Sequence, residues 1–259
     1  MTRSTEPERL AAELDRELKG ARDRTRAAAA KRYLKSELAF YGVSVPFIRA
    51  VLRELRPGYQ GLSHAGLLRL VDALWTSPVF ECRLAAVLVL DSSASALVAG
   101  DMALLERMLR ESKTWALVDE LAAAVAGPLF ERFPELGGTL DRWAADDDFW
   151  LRRSAMLTLL LPLRRGGGDF ERFASYADRM LEEREFFIRK AIGWVLRETA
   201  KKRPELVYEW IRPRITRASG VTVREAVRWL PQRQRDELLA AYRMRAVRSQ
   251  QRLENRMKQ

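Results

Sequence analysis

The sequence predicts an all-α protein whose helices stack as an array of repeats. Three observations point there. Strand signals are nearly absent while apolar residues recur at three- and four-residue intervals; Gly and Pro punctuate the chain at regular distances; and several short segments superimpose on one another.

The helical signal begins early. LAAELDRELKGARDRTRAAAAKRYLKSELAF (10–40) is rich in good helix formers with apolar residues on a helical period. Breakers then follow at Gly42, Pro46, Pro57-Gly58, Ser77-Pro78, Gly100, Gly127-Pro128, Pro134, Gly137-Gly138, Gly166-Gly167-Gly168, Pro204, Pro213, Gly220 and Pro231. The pieces between them have the length of ordinary globular helices, roughly 10–18 residues.

Repeats decide between a bundle and an array. FWLRRSAMLTLL (149–160) and FFIRKAIGWVLR (186–197) align without a gap; FECRLAAVLVL (80–90) fits with one aromatic fewer, and VTVREAVRWL (221–230) more loosely. The alignment makes Arg83, Arg153, Lys190 and Arg224 equivalent, and a missing repeat near 118 falls on Asp119. The series 83, 119, 153, 190, 224 advances by 34–37 residues, the spacing of HEAT-like α-solenoids with two helices per unit. Such stacking predicts a concave groove lined by the four basic residues, with Asp119 among them.

Charge suggests what the groove meets. Lys plus Arg number 46 against 35 Asp plus Glu, giving a net charge of +11 and a sequence pI near 10.2. A polyanion is the implied partner, nucleic acid ahead of an anionic membrane. An Arg-heavy genome would give the same excess, since 38 of the 46 are Arg. Arg at repeat-spaced positions gives backbone contacts rather than base readout, and Arg152, Arg189, Lys201 and Lys202 widen the patch. The segment RMRAVRSQQRLENRMKQ (243–259) reads as a basic tail, frayed and solvated, behind a single domain at 1–242.

Much chemistry is excluded. One cysteine (Cys82) and one histidine (His64) leave no internal disulfide and no Cys/His zinc site. Any His-dependent triad would have to use His64, which lies in the loop-like GLSHAG and reads as a surface or capping residue; Cys82 reads as a small buried apolar group. No metal or cofactor is implied. The polar N-terminus is no signal peptide, and no apolar run reaches the ~20 residues of a membrane span. A soluble cytoplasmic protein is expected, and a self-contained solenoid is expected to work as a monomer.

Asp119 is the anomaly in the cationic row. It either pairs with an Arg, the usual fate of such a residue, or faces positive charge that develops during a reaction. Trp115 shares its helix face four residues earlier, and Trp194 follows Lys190 by four. Either Trp alone reads as core, but their common relation to Asp119 points to a site. A carboxylate between aromatics can steady an oxocarbenium-like centre and orient water. With no obvious acid at hand the leaving group must already be good, as a cationic alkylated purine in DNA is.

The chain resembles the bacterial DNA alkylation repair family, the AlkD-type HEAT-like repeat alkylpurine DNA glycosylases. The carrying motifs are KRYLKSE (31–37), YGVSVP (41–46), SKTWALVDE (112–120), FWLRRSA (149–155), FFIRKAIGWVLRE (186–198), AKKRPELVYEW (200–210) and VREAV (223–227). The resemblance implies a C-shaped array of about six repeats gripping double-stranded DNA, and hydrolysis of N3- and N7-alkylated purines without a deep base pocket. It assigns the catalytic carboxylate to Asp119, the sugar-facing indoles to Trp115 and Trp194, and a groove contact to Arg153; Tyr33, Lys190 and Arg224 match further DNA-contacting positions. One departure stands out. Where relatives often read W-W-D-x-V-D, this chain has Thr114, Trp115, Ala116, Leu117, Val118 and Asp119. That leaves the lesion open, bulky natural-product adducts included. Beside this enzyme stand two alternatives: a non-catalytic DNA-binding repeat protein and an interaction scaffold.

Overall fold

The computed structural model describes the backbone of residues 6–257 and the side chains of residues 6–244. Helices make up the described chain, and among the described residues extended pairing is limited to one isolated bridge, Ala39 to Val79. The chain divides into two compact units, Met1–Gly137 and Gly138–Gln259.

In the first unit the helices are α1 (Glu6–Gly20), α2 (Arg24–Leu34), α3 (Val45–Gln60), α4 (His64–Trp75), α5 (Phe80–Ser92), α6 (Met102–Ser112), α7 (Trp115–Glu120) and α8 (Gly127–Arg132). Short polar side chains start several of them, as helix N-termini with unpaired N–H groups require. Asp23 accepts from Arg26 N, Ser44 from Phe47 N and Ser63 from Gly66 N. FECRLAAVLVL forms α5, apolar on every side, and it is buried from Phe80 to Leu90 except at Arg83. α3, α4 and α7 all pack on it. Its Glu81, 2% exposed, accepts from the backbone N–H groups of Tyr41, Gly42 and Val43, which pins the YGVSVP loop. α2 buries no side chain of its own and is held at its ends, where Asp23 N donates to Tyr41 O.

The second unit holds α9 (Gly137–Trp143), α10 (Phe149–Leu157), α11 (Leu160–Arg164), α12 (Phe170–Met180), α13 (Phe186–Ala200), α14 (Pro204–Ile211), α15 (Gly220–Ala226) and α16 (Gln232–Met257). Caps recur here: Asp148 on Trp150 N, Asp169 on Arg172 N and Ser219 on Thr222 N. α13 is the spine of this unit and packs against α10, α11, α14 and α15. Gly166 and Gly168 take positive φ in the loop after α11, and a Cβ on Gly168 would also meet Pro162 Cβ at 2.9 Å.

The all-α prediction holds, and the repeat-aligned positions each fall on a separate helix: Arg83 on α5, Asp119 on α7, Arg153 on α10, Lys190 on α13 and Arg224 on α15. Two expected breaks are not breaks. Pro57 and Gly58 lie inside α3, where Pro57 removes the bond to Arg53 O only near the helix end and Gly58 allows Leu10 to approach. Gly127-Pro128 likewise fails to interrupt residues 115–132. A π segment, Leu121–Ala126, joins α7 to α8, and its wider turn takes up the missing N–H of Pro128. The expected tail boundary at 242/243 falls within α16; the side chains of 245–259 lie outside the described residues.

Candidate nucleic-acid interface

In the first unit, Trp115 and Asp119 stand one turn apart on α7, both half-buried, and the π segment begins two residues after the carboxylate. Tyr33, 73% exposed, comes from α2 to meet the Trp115 indole edge-on, with ring centroids 5.9 Å apart. Tyr33 thus adds a second, more exposed ring to the Trp115 indole, which lies one helical turn from Asp119. Next to Asp119, Glu120 takes Arg49 Nη2 from α3 at 2.8 Å. Thr114, just ahead of Trp115, is buried, and its hydroxyl has no hydrogen-bond partner among the described residues. A cavity of 550 Å3 between α3 and α5 is lined by Arg49, Arg53, Arg56 and Asp91 among others, and by neither Trp115 nor Asp119.

Arg83 is committed to local structure. It donates to Ser77 O at 3.0 Å and Glu111 O at 3.4 Å, and lies over the Trp75 ring. Burial lowers its pKa from the ordinary value, against the opposing charge of Glu111.

The second unit carries the rest of the row. Arg153 is 2% exposed, donates to Phe187 O at 2.5 Å and lies 5.8 Å over the Phe187 ring. A guanidinium so enclosed differs from the open groove cation the spacing predicts. Arg152 is likewise occupied, bidentate on Glu183 and bonded to Asp146 O and Asp147 O, while Arg189 donates to Glu183 O at 2.6 Å. Lys190 pairs with Glu225 but keeps 40% of its side chain exposed, and Arg224 is exposed on α15. Trp194 is half-buried on α13 between Lys190 and Arg197. Lys201 and Lys202 are exposed, and Lys201 Nζ lies 5.7 Å from the exposed Trp229 ring.

Two carboxylates in this unit were not singled out from the sequence. Glu198 meets Arg164, Arg197 and Lys201 at 2.9, 3.3 and 2.8 Å, and Glu225 takes both Lys190 and Arg197. A signal was present. Gly193 sits mid-helix, where glycine costs about 1 kcal/mol relative to Ala and so flags a close approach.

The single histidine and cysteine are held elsewhere. His64 opens α4 and bonds Asp101 at 2.8 Å; Cys82 is buried against Asp15, and burial with that bond pushes its thiol up to about 12. Among the described residues no group of three or more His, Cys, Asp or Glu side chains converges to hold a metal, and no helix is long and apolar enough to cross a membrane.

Fold and site together define an all-α helical-repeat protein with cation-rich, tryptophan-bearing helix faces. The family model for DNA alkylation repair enzymes matches residues 14–230, and the chain belongs to that family. Among solved structures it is similar to a predicted DNA alkylation repair enzyme from Enterococcus faecalis: 20% identity, TM-score 0.74, covering 82% of this chain and 97% of that one. It is also similar to smu.31 from Streptococcus mutans UA159, with 16% identity, TM-score 0.55 and coverage of 69% and 90%. AlkD2 from Streptococcus mutans aligns at 15% identity with TM-score 0.53, covering 69% and 87%. At these identities the likeness is one of fold. No curated protein matches the sequence.

Proposed function

We propose that the chain is a monofunctional DNA glycosylase that hydrolyses the N-glycosidic bond of cationic N3- or N7-alkylated purines in duplex DNA, working as a monomer without a cofactor. The observation that carries the reading is the face of Tyr33, Trp115 and Asp119: a carboxylate one helical turn from an indole, with both side chains reaching solvent.

The chemistry needs little more. As the C1′–N bond breaks, its electron pair moves onto the purine and cancels the positive charge there, so no acid is required. Positive charge appears on C1′ and is stabilised by the Asp119 carboxylate across a face kept partly dry by the aromatic rings. Water adds to C1′, and Asp119 accepts the proton it loses. The indoles of Trp115 and, in the second unit, Trp194 are assigned to the sugar-phosphate backbone, where stacking tolerates any sequence. Exposed Arg224 and partly exposed Lys190 supply backbone contacts. Arg152, Arg189 and Arg83 hold loops in place, and Arg153 acts from within the helix packing.

The deciding experiment is base release from duplex DNA carrying one N7-methylguanine, comparing wild type with Asp119→Asn. Release by wild type alone supports the enzyme and its carboxylate together. Salt-dependent binding with no release by either overturns this substrate range and leaves a bulky-adduct enzyme or a binding protein.

A further inference from the structure

Lys190, Trp194 and Arg197 on α13 and Lys201 at its C-cap follow one another at intervals of four, three and four, and so continue one stripe of the helix. The two cations flanking Trp194 end on the same side chain. Lys190 Nζ bonds Glu225 Oε1 and Arg197 Nη1 bonds Glu225 Oε2, so a carboxylate from α15 ties together the residues on either side of the indole.

The layering is clear from exposure: 14% for the Glu225 side chain, against 40% for Lys190 and 21% for Arg197. The carboxylate lies beneath, and the cations reach solvent above it. Gly193 makes this possible, since a Cβ there would stand 2.7 Å from Glu225 Cβ and 3.1 Å from Thr222 Cα. Burial opposes ionisation of Glu225, but the bonds and charge from Lys190 and Arg197 outweigh it and hold its pKa below the usual carboxylate value. Glu225 accepts one bond from each cation, and Glu198 accepts a further one from Arg197 Nε at 3.3 Å. Lys carries three donors and Arg five, so both cations keep donors beyond these bonds.

We propose that Glu225 is a positioning residue that fixes Lys190 and Arg197 on either side of Trp194, so that the indole meets a deoxyribose while the two cations meet the phosphates flanking that sugar. A nucleic-acid strand alternates phosphate, sugar, phosphate, and the stripe cation, indole, cation has the same order. Two long side chains fixed before binding lose less freedom when DNA arrives. The inference rests on duplex DNA being the ligand and adds Arg197, Glu225 and Gly193 to the site.

The test compares wild type, Glu225→Gln, the Lys190→Met/Arg197→Met double variant and the triple variant. Each is measured for the salt dependence of binding to undamaged duplex, single-turnover release of N7-methylguanine, and thermal stability. Glu225→Gln removes a negative charge, so affinity for undamaged duplex is expected to hold or rise. Release is expected to fall about tenfold, because unpinned cations attract the strand without placing it. The double variant should flatten the log K against log salt slope by up to about 1.8, about 0.9 for each lost phosphate contact. Adding Glu225→Gln to that background should change release no further and should restore stability, since it removes a carboxylate left without its cations.

The proposal is overturned if Glu225→Gln loses binding, release and stability in parallel, if it leaves all three unchanged, or if the double variant keeps the wild-type slope. Should wild type release no base, the glycosylase reading fails on its own; the cation bracket then stands or falls on the slopes.

Discussion

The α13–α15 contact makes a prediction that needs no assumption about function. Replacing Gly193 with Ala puts a methyl 2.7 Å from Glu225 Cβ and 3.1 Å from Thr222 Cα. Carbon atoms settle at roughly 3.5–4.0 Å, so the first contact is short by roughly 0.8 Å or more. Glu225 is not free to swing away, because Lys190 and Arg197 hold its carboxylate. Nor can Thr222 give easily; its hydroxyl bonds Arg189 O at 3.1 Å and its N–H bonds Ser219 at 3.1 Å. Overpacking of this kind costs about 1–3 kcal/mol, while Ala in a helix interior recovers about 1 kcal/mol over Gly. The net expectation is destabilisation of about 1 kcal/mol, up to about 2. For a unit of this size each kcal/mol moves the midpoint about 3–5 °C, so Tm by circular dichroism should fall about 3–10 °C. Gly138→Ala in α9 is the control: its Cβ meets nothing within 4 Å, and it should hold Tm or raise it. If Gly193→Ala matched Gly138→Ala, the close approach of α13 and α15 would be refuted.

Three further outcomes are expected. Asp119→Asn should reduce base release about 10²–10³-fold in single-turnover assays, as loss of other electrostatic stabilisers does, while duplex binding measured by anisotropy holds or tightens. Thr114→Val should be neutral or should raise Tm, because it replaces a buried, unpartnered hydroxyl with a methyl of the same shape; a clear fall in Tm would mean the hydroxyl has a partner. The folded-state pKa values of Glu198 and Glu225 are depressed: burial raises them, and the Lys and Arg bonds and charges more than offset that. Their contribution is therefore complete above the unfolded Glu value of about 4.3 and is lost as pH falls through the lower folded values. Thermal melts from pH 7 down to pH 3 should show wild type losing stability more steeply than Glu198→Gln below about pH 4.3, and parallel curves would sink the assignment.

Helix content and repeat spacing were legible because both depend on side-chain type at fixed intervals. The same spacing placed Arg83, Asp119, Arg153, Lys190 and Arg224 on five different helices, as the structure has them. It could not say where each head ends. A long, flexible arginine side chain reaches water or a carbonyl equally well, and Arg153 ends on Phe187 O while Arg224 stays exposed. Gly127-Pro128 was misread for a related reason. Breaker residues mark a backbone problem without naming its solution, and here a π segment solves it within one continuous helix.

The acidic residues sort by what shares their helix stripe. On α13 and α15 the neighbours of Glu198 and Glu225 are lysines and arginines, and both carboxylates are covered by the cations they hold. On α7 the neighbour one turn before Asp119 is an indole, and α2 adds a phenol beside it. Glu198 and Glu225 thus lie among the cations they bond, whereas Asp119 is half-buried one helical turn from an aromatic ring. The repeat that put an acid at the row position of a basic protein therefore differs from its neighbours in more than sign. If the proposed function holds, that carboxylate acts on the strand that the exposed cations bind, and Asp119→Asn tests the assignment because it removes the charge while leaving the rings and cations in place.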